Sequence, residues 1–404
     1  MIGTMKMTFF LIAFTLIFLR VYLSCTGVMH GGRSNVEGNM TIISDHFHEE
    51  IRWSGVIRLD SDETTIASIT PGGYLKFRLN DKKMVAEGNL QGEISYELYD
   101  DGEKLALDSN GRKFIARAVK ELIAAGFDAK ERIERIYQRG GYRALLNEVG
   151  KQKTDQLNMM YLERVFAIDS IAEDDLPLVL QKIAAFGSDN DKTNFLRRFT
   201  LNKLQDEVTM QAFFDIVARL GSDNDKADMM KHVMDQGPIS DEIFDKIEGI
   251  SRQLGADNDK TDMYKKLMEE KSITEEQWLS IIKDASQLGA DNDKTDMMKH
   301  VMELRPVSGE IFDKIEGVSR QLGADNDKAD MYKKLIEEKE ITEEQWISII
   351  KDASQLGSDN DKADLLVQVA KKMPATENIK SAYLEAAKKI NADSEYGKVM
   401  RAVN

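Results

Sequence analysis

One short motif supplies most of the side chains in this sequence whose types and spacing could do chemistry. Gly-Ala/Ser-Asp-Asn-Asp-Lys occurs six times, with its glycine at positions 187, 221, 255, 289, 323 and 357. Its closely spaced carboxylates could bind a cation or cap a helix. A calcium loop starting at Asp257 would need a glycine and a bidentate glutamate where Asp262 and Met268 stand. We therefore predict that the aspartates cap helices, and no metal site is predicted.

The residues around the motif predict how helices end and begin there. A glycine directly after an apolar residue, such as Gly255 after Leu254, can adopt the left-handed conformation that closes a helix. In three copies a serine follows the glycine and stands three residues before an aspartate, which is the spacing of a capping box. These serines are Ser188, Ser222 and Ser358. In the other three copies alanine replaces the serine. The aspartate that follows the alanine is then predicted to cap the helix, one position later than the serine does. These residues are Asp257, Asp291 and Asp325.

The elements that carry the motif are predicted from its period of 34 residues, which is typical of a helical solenoid. In one unit a first helix is predicted from Asp257 to Glu270, and Thr274 begins a Thr-x-x-Gln capping box before a second helix. Blocks of two units recur after 68 residues, so Trp278 has its counterpart in Trp346. The predicted fold is mainly α with a small β module: an α-α solenoid of 34-residue helix-pair repeats after an N-terminal antiparallel sheet.

The composition changes along the chain and predicts five segments. Short β-branched and aromatic runs separated by Gly, Asn and Asp turns predict about five antiparallel strands before the first helix. The segments are 1–25, a signal peptide or membrane anchor; 26–49, a flexible tether; 50–110, the β module; 111–168, a helical connector and a divergent first repeat helix; and 169–404, the solenoid with a C-terminal cap.

The N-terminal segment predicts export to the cell envelope. An apolar run from Phe9 to Leu19 is short for a membrane span but suits the core of a signal peptide. Ser24 before Cys25 resembles a bacterial lipoprotein processing site, which makes Cys25 the lipidation candidate. Ordinary secretion and an uncleaved membrane anchor remain open. Cys25 is the only cysteine, so no disulfide can form within the chain.

Charge and missing motifs exclude several function classes. A net charge of −15 argues against nucleic acid as a partner, because such proteins need a basic face. The sequence has no phosphate loop, Gly-x-Ser-x-Gly elbow, zincin motif or dinucleotide fingerprint. His46 and His48 could share a zinc ion, but no third ligand is evident and a surface pair is expected. We predict no enzyme activity, no catalytic residues and no cofactor.

Two further stretches carry a resemblance to a known family. Ile69-Thr70-Pro71-Gly72-Gly73 is similar to an Ile-Ser-Pro-Gly-Gly-like turn, and residues 358–363 are similar to a Ser-Asp-Tyr-Asp-Lys-Ala-like turn. Over residues 50–404 the chain thus resembles largely uncharacterised bacterial envelope proteins, chiefly of Bacteroidota, which join a short β module to helical repeats. Related regions occur attached to membrane antirepressor metalloproteases. The resemblance implies a sensing role in the envelope and carries over no catalytic residues.

These observations predict a non-enzymatic, envelope-associated helical-repeat scaffold that binds a protein or peptide. Its alternatives are a sensory module that acts with a membrane antirepressor protease, and a structural spacer. The N-terminal segment is expected to contact the membrane. The partner-binding residues are not predicted; an exposed strip containing Trp278 and Trp346 would support partner binding, although buried packing is expected for both.

Overall fold

The computed structural model describes residues 22–26, 38–44, 47–168, 171–270, 273–307, 309–338 and 340–403. The chain divides into two units, Met1–Ile171 and Ala172–Asn404. The first contains an antiparallel sheet and the second contains paired helices, so the predicted fold class is confirmed. The apolar run from Phe9 to Leu19 lies outside the described residues. No helix among the described residues combines the length and apolar character that crossing a membrane requires.

Nine strands lie in the described part of the first unit. They are β1 (Tyr22–Thr26), β2 (Gly38–Ser44), β3 (Phe47–Ser54), β4 (Ile57–Leu59), β5 (Ile66–Ile69), β6 (Tyr74–Leu79), β7 (Lys82–Gly88), β8 (Ile94–Asp100) and β9 (Glu103–Leu105). Seven of them form one antiparallel sheet in the order β1-β2-β3-β6-β7-β8-β9, and β4 pairs with β5 as a separate ribbon. Alternating residues of the central strands face a core that also includes side chains of the ribbon and the first helix. This core includes Ile51, Leu75, Phe77, Ile57, Ile69, Ala118 and Leu122.

The strands correct two expectations. The segment 26–49 was predicted as a tether, yet it contains β2 and the start of β3. Its Met40-Thr41-Ile42-Ile43 run has the β-branched residues of a strand and pairs with β3 from Ile51 to His48. The predicted meander of five strands is also interrupted, because the chain turns at Gly55, whose φ is +87°, and makes the ribbon before it returns to the sheet.

Three helices complete the first unit: α1 (Ser109–Ala124), α2 (Ala129–Leu146) and α3 (Asp155–Phe166). Asp108 caps α1 by accepting hydrogen bonds from the backbone N–H groups of Asn110 and Gly111. Gly140 and Gly141 form a kink within α2, where both residues leave helical geometry. Buried Arg132 of α2 joins the ribbon, the end of α2 and α3 through hydrogen bonds to Glu63, Glu148 and Tyr161.

The second unit contains fourteen helices among its described residues. They are α4 (Leu176–Ala184), α5 (Asp189–Leu196), α6 (Glu207–Ala218), α7 (Asp223–Met234), α8 (Asp241–Ser251), α9 (Asp257–Met268), α10 (Glu275–Ala285), α11 (Asp291–Leu304), α12 (Gly309–Gln321), α13 (Asp325–Leu335), α14 (Glu343–Ala353), α15 (Asp359–Lys372), α16 (Glu377–Ala387) and α17 (Asp393–Val403). We call the odd-numbered helices from α5 to α17 the first helices and the even-numbered helices from α4 to α16 the second helices.

The predicted repeat is confirmed by this arrangement. Each motif glycine lies between two helices, and successive first helices contact each other from α5 to α17. The capping box at Thr274 and Gln277 is present, as is its copy at Thr342 and Gln345. The apolar stripes are buried as their helical spacing predicts, with Ile281 and Ile282 almost fully enclosed.

Candidate functional site

The first aspartate of each motif is bonded to the next unit. Asp223 Oδ2 accepts a hydrogen bond of 2.7 Å from the backbone N–H of Gly255, the glycine that begins the next copy. The equivalent bond recurs along the second unit with distances of 2.6 to 2.9 Å. It joins Asp189 to Gly221, Asp257 to Gly289, Asp291 to Gly323, Asp325 to Gly357 and Asp359 to Asn391. We call this hydrogen bond the inter-unit staple.

The staple gives the motif glycine a different role from the predicted one. None of the six motif glycines, all of which the structure describes, has a positive φ, so the prediction of a left-handed helix end was wrong. A Cβ atom added to Gly255 would instead lie 3.1 Å from Asp223 Oδ2, tighter than nearly all observed Cβ contacts. Glycine therefore fits here because the carboxylate of the preceding unit approaches its backbone closely. At the last staple, where Asn391 takes the place of glycine, the hydrogen bond is longer, at 2.9 Å.

The caps are partly as predicted. Ser222 Oγ accepts a hydrogen bond from the backbone N–H of Asp225, and the other two motif serines do the same. The copies with alanine differ, because α9 begins at Asp257 itself and Ala256 provides no side-chain cap. The predicted caps by Asp257, Asp291 and Asp325 were therefore wrong. Their carboxylates bond to the following units instead.

The motif lysine completes the staple electrostatically. Lys226 Nζ lies 3.0 Å from Asp223 Oδ1, the carboxylate oxygen that takes no part in the staple hydrogen bond. The backbone N–H of Gly255 and then Lys226 hold the pKa of Asp223 below its usual value of 3.8. The pKa of Asp189 and of Asp291 is also lowered, in both cases chiefly by the glycine N–H of the next unit.

These shifts predict a loss of repeat stability in acid. A carboxyl whose pKa is lower in the folded chain stabilises it at pH values above its unfolded pKa, and the contribution disappears as the pH falls through the folded pKa. We expect Asp223→Asn to lower the free energy of unfolding at pH 7 and to have progressively less effect below a pH of about 4. Urea unfolding at several pH values checks this. Asp225→Asn, which changes a charge of the same motif but no inter-unit bond, is the control; an equal pH dependence in both variants would refute the staple's role.

A second ionic cluster recurs once per two-unit block. Arg252 Nε donates to Asp284 Oδ2 at 2.6 Å and its Nη2 donates to Ser280 Oγ at 3.0 Å, which joins α8 to α10. Tyr264 donates to the same carboxylate at 3.2 Å. Arg320, Asp352, Ser348 and Tyr332 repeat these bonds 68 residues later. The cluster is a structural link between neighbouring second helices.

Within this cluster one carboxylate is incompletely satisfied. Glu248 is 5% exposed, and its Oε2 pairs with Arg252 at 2.9 Å. Within the part of the chain that the structure describes, its Oε1 accepts no hydrogen bond. Burial raises the pKa of Glu248, and the same holds for its copy Glu316.

Two neighbouring grooves open between the second helices beside this cluster. Groove 1, of about 340 Å³, lies between α8 and α10 and is lined by Asp241, Asp245, Glu248 and Glu276 with three neutral polar residues. Groove 2, of about 470 Å³, lies between α10 and α12. Glu276 and Ser280 line both grooves, so the two form one continuous surface on three successive second helices.

Groove 2 combines charges with an apolar floor. Its side chains are Leu279, Ile282 and Val318 together with Lys283, Ser286, Glu310, Asp313, Lys314 and Gln321. Gly317 lies in the middle of α12 and lines this groove. A Cβ added to Gly317, or to its counterpart Gly249 in α8, would meet no atom within 4 Å. Packing among the described residues therefore does not require glycine at these two positions, although glycine inside a helix costs about 1 kcal/mol relative to alanine.

The residues singled out from the sequence lie elsewhere. Trp278 and Trp346 are 6% and 4% exposed, so both pack in the interior as expected and neither forms an exposed aromatic strip. Cys25 lies in β1 opposite Met40, and its lipidation stays a prediction. His48 lies in β3, and His46 is outside the described residues. Among the described residues no group of three or more His, Cys, Asp or Glu side chains is placed to share a metal ion.

The groove residues were not identified from the sequence. The run Ile-Phe-Asp-Lys-Ile-Glu-Gly, which recurs from Ile243 and from Ile311, contains Asp245, Glu248 and Gly249 and their copies. Its glycine inside an otherwise regular helix was the available signal, because a mid-helix glycine usually has a packing or functional reason.

Comparisons with known proteins add no relationship. No model of a protein family matches this chain, and no characterised protein matches it significantly. The resemblance to the Bacteroidota envelope proteins therefore stays a prediction.

Proposed function

We propose that this protein is a non-enzymatic helical-repeat scaffold that binds a protein or peptide segment carrying basic side chains in grooves 1 and 2. The observation that carries the proposal is the continuous surface on α8, α10 and α12, where unpaired acidic groups border an aliphatic floor. Solenoids commonly bind extended segments along the faces of their repeated helices.

The charge of the surface selects the partner. Asp245 and Glu276 have no cation within ion-pair distance among the described residues, and both are exposed. The second unit as a whole holds 47 of the 70 acidic residues and 33 of the 55 Lys and Arg residues. A basic segment would thus be attracted at long range and would find uncompensated carboxylates at close range.

The interior of groove 1 offers a further attachment point. Among the described residues Glu248 Oε1 accepts no hydrogen bond, although the Ser280 hydroxyl lies close to the carboxylate. Buried carboxylate oxygens gain most from an added donor. An arginine side chain that enters groove 1 could supply that donor while Arg252 keeps Oε2. The apolar floor of groove 2, formed by Leu279, Ile282 and Val318, would accept the alternate side chains of the same segment.

The experiment measures binding of a short fluorescein-labelled peptide in which leucine and arginine alternate, by fluorescence anisotropy with the full-length protein. Asp245→Asn combined with Glu276→Gln removes two groove charges, and we expect a Kd roughly three- to tenfold higher. Asp262→Asn combined with Asp364→Asn removes two exposed charges from first helices and is the matched control, with less than roughly a twofold change. A peptide with glutamate in place of arginine should not bind.

A second variant separates binding from stability. Gly317→Ala should raise the free energy of unfolding by about 0.5 to 1 kcal/mol, because alanine is the better helix former and its Cβ meets nothing. The same change narrows groove 2 and should weaken peptide binding. Equal losses of affinity in the groove and control variants, or no measurable binding of the basic peptide, would refute the proposal and favour a spacer.

A further inference from the structure

The face of the sheet that points away from the core carries a cluster of positive charge. In β6, buried apolar residues alternate with exposed cations, and β3 and β7 each add one exposed cation to the same face. The exposed cations are Arg52, Lys76, Arg78 and Lys83. They border a shallow depression of about 240 Å³ whose described lining includes one acidic side chain, Glu50. Farther along the same face lie Glu87 of β7 and Glu97 of β8. We call the four cations the basic face.

The register of the strands brings like charges together. Arg52 lies directly opposite Lys76, and Arg78 lies directly opposite Lys83. Like charges in directly opposed positions of an antiparallel pair destabilise the sheet. Glu50 lies opposite Arg78 on the other side and offsets part of this repulsion. The positive charge of the basic face is not a general property of this unit, because residues 1–171 hold 22 basic and 23 acidic residues.

The rest of the chain compensates this charge only in part. Of the four cations, only Arg52 has an ion pair among the described residues, with Glu50. Two of the others lie over tyrosine rings and the third donates to a backbone carbonyl. These contacts join Lys76 to the Tyr74 ring at 4.6 Å, Lys83 to the Tyr99 ring at 5.5 Å, and Arg78 Nε to Asn80 O at 2.9 Å.

We infer that the basic face binds an anionic lipid surface. Its cations stand on three adjacent strands of one sheet, about 5 Å apart from strand to strand, so they form a flat array rather than a pocket for a single anion. A membrane leaflet presents phosphate groups in such an array. Tyr74 and Tyr99 beside the cations are of the residue type that is enriched at the boundary between lipid and water.

The order of strands supports lipid over another polyanion. The predicted signal or anchor segment runs into β1, and β1 is separated from β3 only by β2. If that segment stays in or on a membrane, the sheet that contains the basic face follows it directly in the chain, since β1 begins at Tyr22. An acidic protein segment or a nucleic acid would satisfy the same charges but gains no support from this placement. The inference uses none of the groove residues and does not depend on the proposed function.

Co-sedimentation of the full chain with vesicles tests the inference. We expect more protein to sediment with vesicles of phosphatidylcholine containing one-third phosphatidylglycerol than with phosphatidylcholine alone. The difference should decrease as salt is raised, because exposed charges are screened. An N-terminal apolar segment alone would bind both kinds of vesicle and would not produce this difference.

Lys76→Gln combined with Arg78→Gln and Lys83→Gln should reduce the affinity for the anionic vesicles at least roughly tenfold. It should leave binding to phosphatidylcholine unchanged. Lys371→Gln combined with Lys372→Gln and Lys380→Gln removes the same charge from exposed positions of the repeats and should have less than roughly a twofold effect. Circular dichroism verifies folding of both variants. No preference of the wild-type chain for anionic vesicles, equal effects of the two triple variants, or tighter binding of heparin or polyglutamate than of the vesicles would overturn the inference.

Discussion

Replacing the six staple aspartates by alanine is expected to lower the free energy of unfolding of the repeats by about 5 kcal/mol. The residues are Asp189, Asp223, Asp257, Asp291, Asp325 and Asp359. Hydrogen bonds to charged groups contribute up to about 3 kcal/mol, but these carboxylates and glycines are partly exposed, so we take about 1 kcal/mol for each of the five staples onto a glycine and count nothing for Asp359, which bonds to Asn391. The staples share no side chain, so their effects should add.

The measurement is urea unfolding followed by circular dichroism. The control replaces the exposed middle residue of each motif by alanine, at Asn190, Asn224, Asn258, Asn292, Asn326 and Asn360. These residues make no bond between units, so the control should be as stable as the wild type or more stable. If the six-fold aspartate variant does not fold, Asp257→Ala alone should still lower stability by about 1 kcal/mol. Equal losses in the aspartate and asparagine series would mean that the staples do not hold the units together.

Arg132→Met is expected to produce the largest loss from a single substitution, about 3 kcal/mol in the first unit. Arg132 is 6% exposed and donates to two carboxylates and a buried hydroxyl. Its partners Glu63, Glu148 and Tyr161 would keep their desolvation cost without the cation. Their partial exposure places the expected loss near the lower end of the range for broken buried ion pairs.

The same cluster predicts an effect of pH. Burial works against ionisation of Glu148, but hydrogen bonds from Lys151 and Arg132 hold its pKa below the usual 4.5. Its contribution is therefore present at neutral pH and lost in acid. Arg117→Met, at an exposed position of α1, is the control and should change stability by less than about 0.5 kcal/mol. Hydrogen exchange across α2 and α3 should increase only in the Arg132 variant; an increase of the same size in the control would refute the role of the cluster.

The helices of the repeat could be predicted because their signals are local. The Thr-x-x-Gln boxes and the apolar spacing around Trp278 each act within one helix and its cap, and the 34-residue period repeats these local signals. The structure has all three. The interpretation of the motif failed where the contact is not local. Asp223 and Gly255 are 32 residues apart, and nothing in either turn says that a carboxylate will approach the glycine's backbone rather than cap its own helix.

The sheet illustrates the same limit. Single strands such as Tyr74–Leu79 follow from alternation and turns. The β4–β5 ribbon leaves the main sheet because of the backbone conformation at Gly55 and because of tertiary packing, and the alternation of apolar and polar residues encodes neither. Grooves 1 and 2 and the basic face depend on which helices and strands become neighbours. Their residues look like ordinary solvated charges until the register is known.

Amide hydrogen exchange at the motif glycines is the most direct test of the inter-unit staple. Gly221, Gly255, Gly289, Gly323 and Gly357 are exposed, yet each backbone N–H donates to a carboxylate of the preceding unit. We predict that these amides exchange much more slowly than unprotected glycine amides in the wild type, and that Asp257→Ala abolishes the protection of Gly289 while leaving that of Gly221. Exchange of the glycine amides at the rate of unprotected peptides in the wild-type protein would contradict the account.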